Sequence, residues 1–291
     1  MEKKTLMITG ASGFIGSNFI ERYKDKYNII PVDLLKVKSE ELDFTDVDCV
    51  LHLAALVHQM NGAPREKYFE VNTELTKRMS EESKKHGVKH FVFYSTVAVY
   101  GTHGDINKEL IFDKNSKVNP VTAYAESKWE AEEILRKLED NKFRVSILRP
   151  PMVYGKNCPG NMKRLEKLIR LFPILPFNYN ENKRTLVNIE KLLEITDKVI
   201  RKEIFGITIP KDDKDISIKE IVEKLAKENN KKIILIKFPK FIFKLLINLK
   251  PEMMRVDKLL QSINVLRGDM SFVDSRLEWN ELAKENKKII N

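Results

Sequence analysis

Cysteine is scarce in this sequence of 291 residues, which contains only Cys49 and Cys158. The two cysteines lie far apart, and neither belongs to a spacing that ligates a metal, so we expect no metal site. A chain with so few cysteines fits a reducing compartment, and we expect a cytoplasmic protein.

Long hydrophobic runs are also missing. No stretch reaches the roughly 18 apolar residues of a membrane span, and the first apolar run is too short for a signal peptide. The most apolar late segment, residues 238–249, is interrupted by Lys240 and Lys244. A basic amphipathic helix of this kind could touch an anionic membrane surface, but packing on the core with both lysines in water is favoured. We therefore expect no membrane contact.

Basic residues outnumber acidic ones, but they form no arginine-rich tract and do not alternate with aromatic residues. The formal net charge of +10 comes from 52 Lys and Arg against 42 Asp and Glu, spread along the chain. This distribution argues against a nucleic-acid partner. The positive field would attract an anionic substrate, although a lysine-rich surface also serves solubility alone.

Three glycines stand at a predicted turn between a strand and a helix near the start of the chain. Gly10, Gly13 and Gly16 follow the apolar strand 6–9 and lead into a helical pattern. One glycine permits the tight turn, the next lets a pyrophosphate approach the backbone, and the third lets the helix pack close to the strand. The N-terminus of the helix then faces the anion. The spacing predicts a dinucleotide-binding turn.

A carboxylate, Asp33, follows the second predicted strand, residues 27–32. At this position a carboxylate accepts hydrogen bonds from the adenosine ribose and repels a 2′-phosphate, which favours NAD(H) over NADP(H). Lys36 and Lys38 follow closely and would partly reverse that preference. NAD is therefore the expected cofactor, with NADP as the open alternative.

Strands alternate with helical stretches along the first two thirds of the chain. The pattern predicts further strands at 47–53, 90–95 and 144–148 and helices at 69–86 and 123–140. Repeated units of this kind imply an α/β fold, a Rossmann-like doubly wound parallel sheet with the ligand at the carboxyl ends of its strands. We expect residues 1–155, completed by about 185–205, to form this domain. Residues 156–184 and 206–291 are expected to form a smaller C-terminal lobe that binds the substrate.

Tyr124 and Lys128 carry the predicted chemistry. Because they lie four residues apart on a predicted helix, they share one face, and the ammonium can lie near the phenol and lower its pKa. A tyrosine tuned in this way can exchange a proton with a sugar hydroxyl or carbonyl while a nicotinamide exchanges a hydride. The strand end Tyr94-Ser95-Thr96 supplies hydroxyl groups near the same edge of the sheet.

Five motifs, in this order, resemble the extended short-chain dehydrogenase/reductase family, specifically its NAD-dependent nucleotide-sugar epimerases, dehydratases and 4-ketoreductases. The motifs are residues 9–16 (TGASGFIG), 52–55 (HLAA), 94–101 (YSTVAVYG), 124–128 (YAESK) and 149–155 (RPPMVYG). Residues 184–189 extend the likeness, and residues 272–279 look like a reduced form of the family's closing segment.

The resemblance implies a role for each matching residue. Tyr124 would be the acid and base, Lys128 would hold the nicotinamide ribose and tune Tyr124, and Thr96 would hydrogen-bond the reacting oxygen. The positions that match the cofactor cleft are Gly10, Gly13, Phe14, Ile15, Gly16, Asp33, Asp43, Phe44, Leu53, Ala54, Ala55, Asn72, Lys128 and Pro151. The positions that match the substrate site are Thr96, Tyr124, Asn161 and Arg184, of which the last two would grip a diphosphate.

The resemblance also narrows the reaction. The 4,6-dehydratases carry an acidic pair after the threonine, where this chain has Val97 and Ala98, so dehydration is disfavoured. UDP-galactose 4-epimerases carry an asparagine in the segment that here reads RPPM (149–152), which argues against a plain hexose epimerase. Residues 149–155, Gly160-Asn161 and residues 58–60 instead resemble bacterial UDP-N-acetylhexosamine 4-keto reductases and C4 epimerases of surface-polysaccharide synthesis.

We therefore expect an NAD(P)-dependent enzyme that reduces a 4-keto group, or inverts C4, of a UDP-hexose or UDP-N-acetylhexosamine. The alternative is a non-catalytic dinucleotide-binding regulator or scaffold, although such relatives usually lose the tyrosine or the lysine that this chain keeps. Gln59 and Met60 either border the hexose or belong to the core or a loop. Family members often pair through two helices, here 69–86 and 123–140, so we expect a homodimer.

Overall fold

The structure of the protein, a computed structural model, describes residues 3–57, 63–101, 111–159, 161–178 and 184–237. The strands are β1 Thr5–Thr9, β2 Asn28–Val32, β3 Cys49–His52, β4 His90–Tyr94, β5 Arg144–Leu148, β6 Met152–Tyr154, β7 Ile174–Leu175, β8 Leu186–Asn188, β9 Gly206–Thr208 and β10 Ile234–Leu235. The helices are α1 Phe14–Tyr23, α2 Arg65–Phe69, α3 Leu75–Lys85, α4 Ala123–Leu138, α5 Asn161–Leu171, α6 Ile189–Lys202 and α7 Ile218–Glu228. A π-helical turn, Glu70–Glu74, joins α2 to α3, and 3₁₀ turns cover Ser39–Glu41 and Val97–Tyr100.

Six strands form one parallel sheet in the order β2-β1-β3-β4-β5-β9. The strands β3 and β4 are buried along their whole length, because helices cover both faces of a parallel sheet and its inner strands carry continuous apolar residues. The strand order reverses between β1 and β3, and ligands of such folds bind at the carboxyl ends beside that point. The predicted doubly wound parallel sheet is confirmed.

Two apolar cores lie on the two faces of this sheet. On one face, α1 and α6 contribute Phe19, Leu192 and Val199. On the other face, α3 and α4 contribute Met79 and Leu135. All five side chains are fully buried, so the helices are held by apolar burial, which contributes about 25 cal/mol for each Å² removed from water.

The bounds of the elements follow the sequence pattern closely, with one exception. The predicted strand 144–148 is β5, and the predicted helix 123–140 is α4. The predicted helix 69–86 begins earlier, at Arg65, and contains the π turn. In that turn the buried side chain of Thr73 donates a hydrogen bond to the Ser127 carbonyl oxygen on α4, at 2.9 Å. Hydrophobic periodicity does not indicate a single widened turn inside a helix.

A third apolar cluster lies outside the main sheet. The helices α5 and α7 bury side chains that include Leu165, Ile169 and Val222, and short strand pairs, β7 with β10 and β6 with β8, accompany them. Residues 238–291, which include the amphipathic segment 238–249 and the closing segment 272–279, lie outside the described residues. The division of the chain into a dinucleotide-binding domain and a smaller lobe stays a prediction.

Candidate active site

The glycine turn after β1 brings three pieces of backbone together. Gly10 has a φ of +66° and begins a turn. A hydrogen bond from the Gly13 amide to the Gly10 carbonyl oxygen, at 3.0 Å, closes this turn. A Cβ atom at Gly10 would lie 2.7 Å from the Ala54 amide nitrogen, and one at Gly16 would overlap the Gly10 carbonyl oxygen. Any side chain at either position would therefore force backbone apart.

The first turn of α1 is arranged to receive an anion. Gly13 occupies the N-cap without a side chain that could satisfy the free amides, and no acidic residue lies in the first turn. Unsatisfied amides and the positive end of the helix dipole favour a negative group there. Phe14 and Ile15 are half-buried, and Phe14 packs against both the α1/α6 core and the α5/α7 cluster.

Two carboxylates are predicted to lie on the adenosine side of the cofactor, and both belong to turns outside the sheet. Asp33 directly follows β2, accepts a hydrogen bond from the Leu35 amide at 3.1 Å, and has the Lys36 ammonium 3.6 Å away. Asp43 accepts two hydrogen bonds from Thr45, through its amide at 2.9 Å and its hydroxyl at 2.6 Å. These bonds lower the pKa of Asp43 below its usual range. Asp43 is thus ionised at neutral pH.

Phe44, predicted beside the adenine, is a core residue. Its side chain is 4% exposed and belongs to the core under α3 and α4. Its ring stacks on His86 with centroids 5.2 Å apart and an angle of 13° between the planes. Phe44 therefore anchors the Asp43 turn to the core under α3 and α4.

The segment after β3, Leu53 to Ala55, is half-buried and held against the end of β1. The Leu53 amide donates to the Thr9 carbonyl oxygen at 3.2 Å, and the Ala54 amide donates to the Thr9 hydroxyl at 3.3 Å. The same hydroxyl lies 2.8 Å from Nδ1 of His52. The predicted cleft residues Leu53, Ala54 and Ala55 therefore follow the same sheet edge as the glycine turn.

His52 is fully buried on β3 and links two elements. Its Nδ1 contacts Thr9, and its Nε2 lies 3.0 Å from the Thr76 hydroxyl on α3. Burial, and to a smaller extent the Lys128 charge, lower the pKa of His52 to about 3. The imidazole is therefore neutral and serves as a hydrogen-bond bridge.

Asn72 fastens the loop after β3 to α4. From the π turn, its Oδ1 accepts from the Leu56 amide at 2.8 Å and its Nδ2 donates to the Leu56 carbonyl oxygen at 3.0 Å. The same Nδ2 donates to the Ser127 hydroxyl at 3.0 Å. Asn72 is fully buried, so in this structure it acts as a hydrogen-bond link, and its predicted contact with the cofactor stays a prediction.

Tyr124 and Lys128 lie on one face of α4, which Thr122 caps by accepting a hydrogen bond from the Ala125 amide at 3.2 Å. The Tyr124 hydroxyl is hydrogen-bonded to the Thr96 side chain. The Lys128 ammonium donates to the Tyr94 carbonyl oxygen at 2.7 Å. The helix therefore joins the tyrosine, the lysine and the threonine at the end of β4.

Desolvation dominates the charge states of this pair. Burial raises the pKa of Tyr124 to about 12, and the hydrogen bond from Thr96 opposes it only in part. Burial lowers the pKa of Lys128 to about 7, against the attraction of Glu132. The expected lowering of the Tyr124 pKa by Lys128 is not found, because burial outweighs it and the ammonium is bonded to Tyr94.

Thr96 caps the 3₁₀ turn that follows β4. Its hydroxyl accepts from the Ala98 amide at 3.1 Å, and its side chain is 9% exposed. The Val97 amide donates to the Pro150 carbonyl oxygen at 3.2 Å, and Pro151, the predicted cofactor neighbour, is buried directly after it. The ends of β4 and β5 are thus bonded to each other beside Tyr124.

The two predicted diphosphate residues lie on segments that contribute to the α5/α7 cluster or pair with it. Asn161 is the first residue of α5. Arg184 is 8% exposed and pairs with Ile216 through two backbone hydrogen bonds of 2.8 and 3.1 Å. The segment 58–60, with Gln59 and Met60, and Gly160 lie outside the described residues.

Sequence analysis overlooked two charged residues that contact this site, Glu132 and Arg149. Both are fully buried, and Arg149 Nε donates to Glu132 Oε1 at 2.9 Å. A signal was present, because Glu132 continues the four-residue spacing of Tyr124 and Lys128 along one helix face. Arg149 opens the RPPMVYG motif, of which only Pro151 was predicted as a site residue.

Other chemistry is scarce in the part of the chain that the structure describes. Cys49 and Cys158 are both free and buried. No three His, Cys, Asp or Glu residues of that part come together as metal ligands would. None of its helices is both long and apolar enough to cross a bilayer.

Sequence comparison gives a family and several relatives. The model of the NAD dependent epimerase/dehydratase family matches residues 6–206. A UDP-glucose 4-epimerase of Vibrio cholerae is 29% identical over 301 residues, which cover 95% of this chain and 90% of that protein. An N-acetyl-alpha-D-glucosaminyl-diphospho-ditrans,octacis-undecaprenol 4-epimerase of Escherichia coli O157:H7 is 27% identical over 248 residues. That alignment covers 78% of this chain and 73% of that protein.

Solved structures share the fold. A UDP-glucuronic acid 4-epimerase from Bacillus cereus in complex with NAD has a TM-score of 0.66 at 21% identity, over 80% of this chain and 87% of that one. A dTDP-4-dehydrorhamnose reductase ortholog from Clostridium acetobutylicum has a TM-score of 0.68 at 19% identity, over 98% and 99% of the two chains. At these identities the likeness extends to the fold alone.

The glycine turn yields a matched pair of substitutions. Gly10→Ala combines backbone strain at φ +66° with a clash on Ala54, whereas Gly87→Ala meets the strain of φ +80° and nothing else within 4 Å. Strain alone costs about 1 kcal/mol, so we expect Gly10→Ala to cost at least about 2 kcal/mol more. Urea unfolding of both variants measures the difference. Equal losses would show that the close approach at Gly10 is unimportant.

Proposed function

Because this chain belongs to the NAD dependent epimerase/dehydratase family, we propose that it is an oxidoreductase acting at C4 of a UDP-sugar. The reaction is reduction of a 4-keto group or inversion at C4 of a UDP-hexose or UDP-N-acetylhexosamine. The observation that carries the proposal is the contact between the Tyr124 hydroxyl and the Thr96 side chain, one helical turn from buried Lys128. We assign the product to surface-polysaccharide synthesis, by resemblance.

The residues at the sheet edge fit a dinucleotide. The turn at Gly10 and Gly16 has no room for a side chain, and a diphosphate would lie against the bare backbone and the first turn of α1. Asp33 would accept hydrogen bonds from the adenosine ribose, and Lys128 would hold the nicotinamide ribose. The Lys36 ammonium, 3.6 Å from Asp33, offsets part of the negative charge, so NADP stays open beside NAD.

The remaining predicted cofactor residues shape the cleft. Gly13 and the first-turn residues Phe14 and Ile15 would surround the diphosphate, while the Asp43-Phe44 turn would lie on the adenine side. Leu53, Ala54, Ala55 and Pro151 line the cleft, and Asn72 fixes the loop that carries them. NAD, when bound, accepts a hydride from the sugar carbon and in its reduced form returns one.

Tyr124 moves the proton in either reaction. With a pKa of about 12, its phenol is protonated at neutral pH and can donate to the oxygen of a 4-keto group, as ketoreduction requires at the outset. Thr96 bonds the same oxygen and aligns it. A protonated Lys128 favours the phenolate that remains, because opposite charges attract across a dry site. Oxidation of a C4 hydroxyl is the same exchange in reverse.

The substrate's diphosphate would bind in the smaller lobe. Arg184 offers a guanidinium that binds phosphate oxygens with two parallel hydrogen bonds, and Asn161 would assist from the start of α5. Arg184 is anchored by its backbone bridge to Ile216, which makes it a fixed point for the nucleotide. The sugar would then extend toward Tyr124.

One assay tests the proposed function. The purified protein is incubated separately with four sugars. UDP-GlcNAc, UDP-glucose and N-acetylglucosaminyl-diphospho-undecaprenol are each given oxidised NAD or NADP, and UDP-4-keto-6-deoxy-GlcNAc is given NADH or NADPH. The reactions are followed by absorbance near 340 nm and product NMR. Stoichiometric oxidation of the reduced cofactor by the keto sugar indicates a 4-ketoreductase. A C4-inverted UDP-sugar without net consumption indicates an epimerase. Turnover of the lipid-linked sugar alone contradicts the proposal. The absence of turnover with every sugar also contradicts it and favours a non-catalytic regulator or scaffold.

The proton exchange gives a sharp prediction. Tyr124→Phe should lower kcat at least about 100-fold, the usual contribution of a positioned acid or base, while NAD binding and thermal stability stay near those of the wild type. Tyr23→Phe is the control, since Tyr23 is a buried tyrosine on α1, under the opposite face of the sheet. Activity of Tyr124→Phe close to that of the control would refute the assignment.

A second prediction concerns the diphosphate. Arg184→Ala should weaken binding of the UDP-sugar about tenfold or more, because charged hydrogen bonds contribute about 1.5–3 kcal/mol each, and should leave NAD affinity unchanged. Arg170→Ala provides the control in the same lobe, since Arg170 bonds Glu166 and Asn229 on the surface. Calorimetric titration separates the two ligands. An equal loss of NAD affinity would instead indicate a folding defect.

A further inference from the structure

A buried carboxylate lies one helical turn beyond Lys128. Glu132 is 0% exposed, and its Oε1 accepts a 2.5 Å hydrogen bond from the Ser95 hydroxyl. Its Oε2 accepts from Arg136 at 2.6 Å and from Arg149 at 2.5 Å, and Arg149 also donates to Oε1 at 2.9 Å. Both oxygens therefore have hydrogen-bond donors, the condition under which a buried charge can be stable.

Arg149 extends the network to the loop after β4. Its Nη1 donates to the Tyr100 hydroxyl at 2.6 Å, and its guanidinium lies over the Tyr100 ring, 4.8 Å from the centroid. Its backbone amide donates to Thr208 of β9 at 2.9 Å. Arg149 thus holds the C-terminal end of the 3₁₀ segment Val97–Tyr100.

The carboxylate connects the three elements that carry the proposed chemistry. Glu132 itself belongs to α4 with Tyr124 and Lys128, Ser95 directly precedes Thr96, and Arg149 directly precedes the Pro150-Pro151 pair. A shift of any one element would break a charge-assisted hydrogen bond inside the protein. Removing one partner of such a buried pair is strongly destabilising, so the three elements are held in fixed relative positions.

Charged and titratable groups surround Lys128 from several elements. On its own helix it faces Tyr124 and Glu132, and from β3 it faces His52, which burial keeps neutral. From β4 it meets the Tyr94 carbonyl oxygen and the Phe93 ring, whose centroid is 4.5 Å from the ammonium. Glu132 is the negative charge among these groups, and its carboxylate also bonds the guanidinium groups of Arg149 and Arg136.

We propose that Glu132 is a positioning residue for the reaction, which fixes Thr96 through Ser95 and keeps the Lys128 ammonium charged. This inference rests on the proposed function, in which Thr96 and Tyr124 bond the reacting oxygen and Lys128 must be protonated. Loss of the carboxylate would leave the buried Arg149 guanidinium and the partly exposed Arg136 guanidinium uncompensated near an ammonium, which favours the neutral amine. Loss of the Ser95 contact alone would loosen Thr96 without changing the charge.

The test separates these two effects. Glu132→Gln keeps the shape and removes the charge, Glu132→Asp keeps the charge, and Ser95→Ala breaks one contact only. The control is Glu133→Gln, one residue further along α4, where the carboxylate is partly exposed and bonds Arg136. Each variant is assayed for kcat and KM across pH, and the titration of Lys128 is followed by NMR of ¹³C-lysine-labelled protein, with Lys128→Arg to assign its signal.

For Glu132→Gln we expect kcat to fall at least tenfold with little change in KM. Activity needs the ammonium and is lost as pH rises through the pKa of Lys128, which Glu132 raises. Without Glu132 that pKa falls, so the alkaline limb of the kcat profile should move to lower pH by about one unit. Glu132→Asp should restore most of the limb, and Ser95→Ala should lower kcat without moving it.

A fully active Glu132→Gln with an unmoved limb and an unmoved Lys128 titration would overturn the proposal. The NMR titration needs no turnover, so it tests Glu132 even if the wild type processes none of the sugars, an outcome that would refute the proposed function instead. If Glu132→Gln does not fold, Ser95→Ala and Glu132→Asp decide, and wild-type kcat in Ser95→Ala would exclude the positioning role.

Discussion

The structure depends on the parallel pairing of six strands, because it delivers every strand's carboxyl end to one edge. This pairing brings four segments together at that edge: the glycine turn after β1, the Leu53 segment after β3, Thr96 after β4 and the proline pair after β5. These pieces come from positions up to about half the chain length apart, and no local interaction could gather them. The helices add a second requirement, since α4 must lie against β4 for its polar face to reach the edge.

Polar groups inside this edge are satisfied by one another. His52 bridges Thr9 and Thr76, Asn72 bridges Leu56 and Ser127, and Glu132 receives Ser95 and two arginines. Each would be costly to bury alone, because an unpaired polar group in the interior loses its hydration. Paired, they fix the spacing of strands and helices more strictly than apolar contacts can, since hydrogen bonds tolerate only small displacements.

The sequence predicted the part of this arrangement that local pattern encodes. Apolar runs located β4 and β5 within one residue at each end, and three glycines located the turn after β1. The pairing of Glu132 with Arg149 joins positions 17 residues apart through the interior, and the widened turn at Asn72 follows from contacts with α4. Burial also reversed one expectation: spacing placed Lys128 near Tyr124, but desolvation of both groups decides their pKa values.

The π turn at Glu70–Glu74 changes the direction in which side chains point along the continuous helix formed by α2 and α3. A residue inserted into an α-helix rotates everything before it by about 100° relative to everything after it. Here that offset lets Tyr68 stand edge-on to Tyr124, at 6.4 Å between ring centroids, while Met79 still faces the sheet. A one-residue deletion in this stretch would therefore turn Tyr68 away from Tyr124, the residue proposed to exchange the proton, while Met79 kept its place in the core.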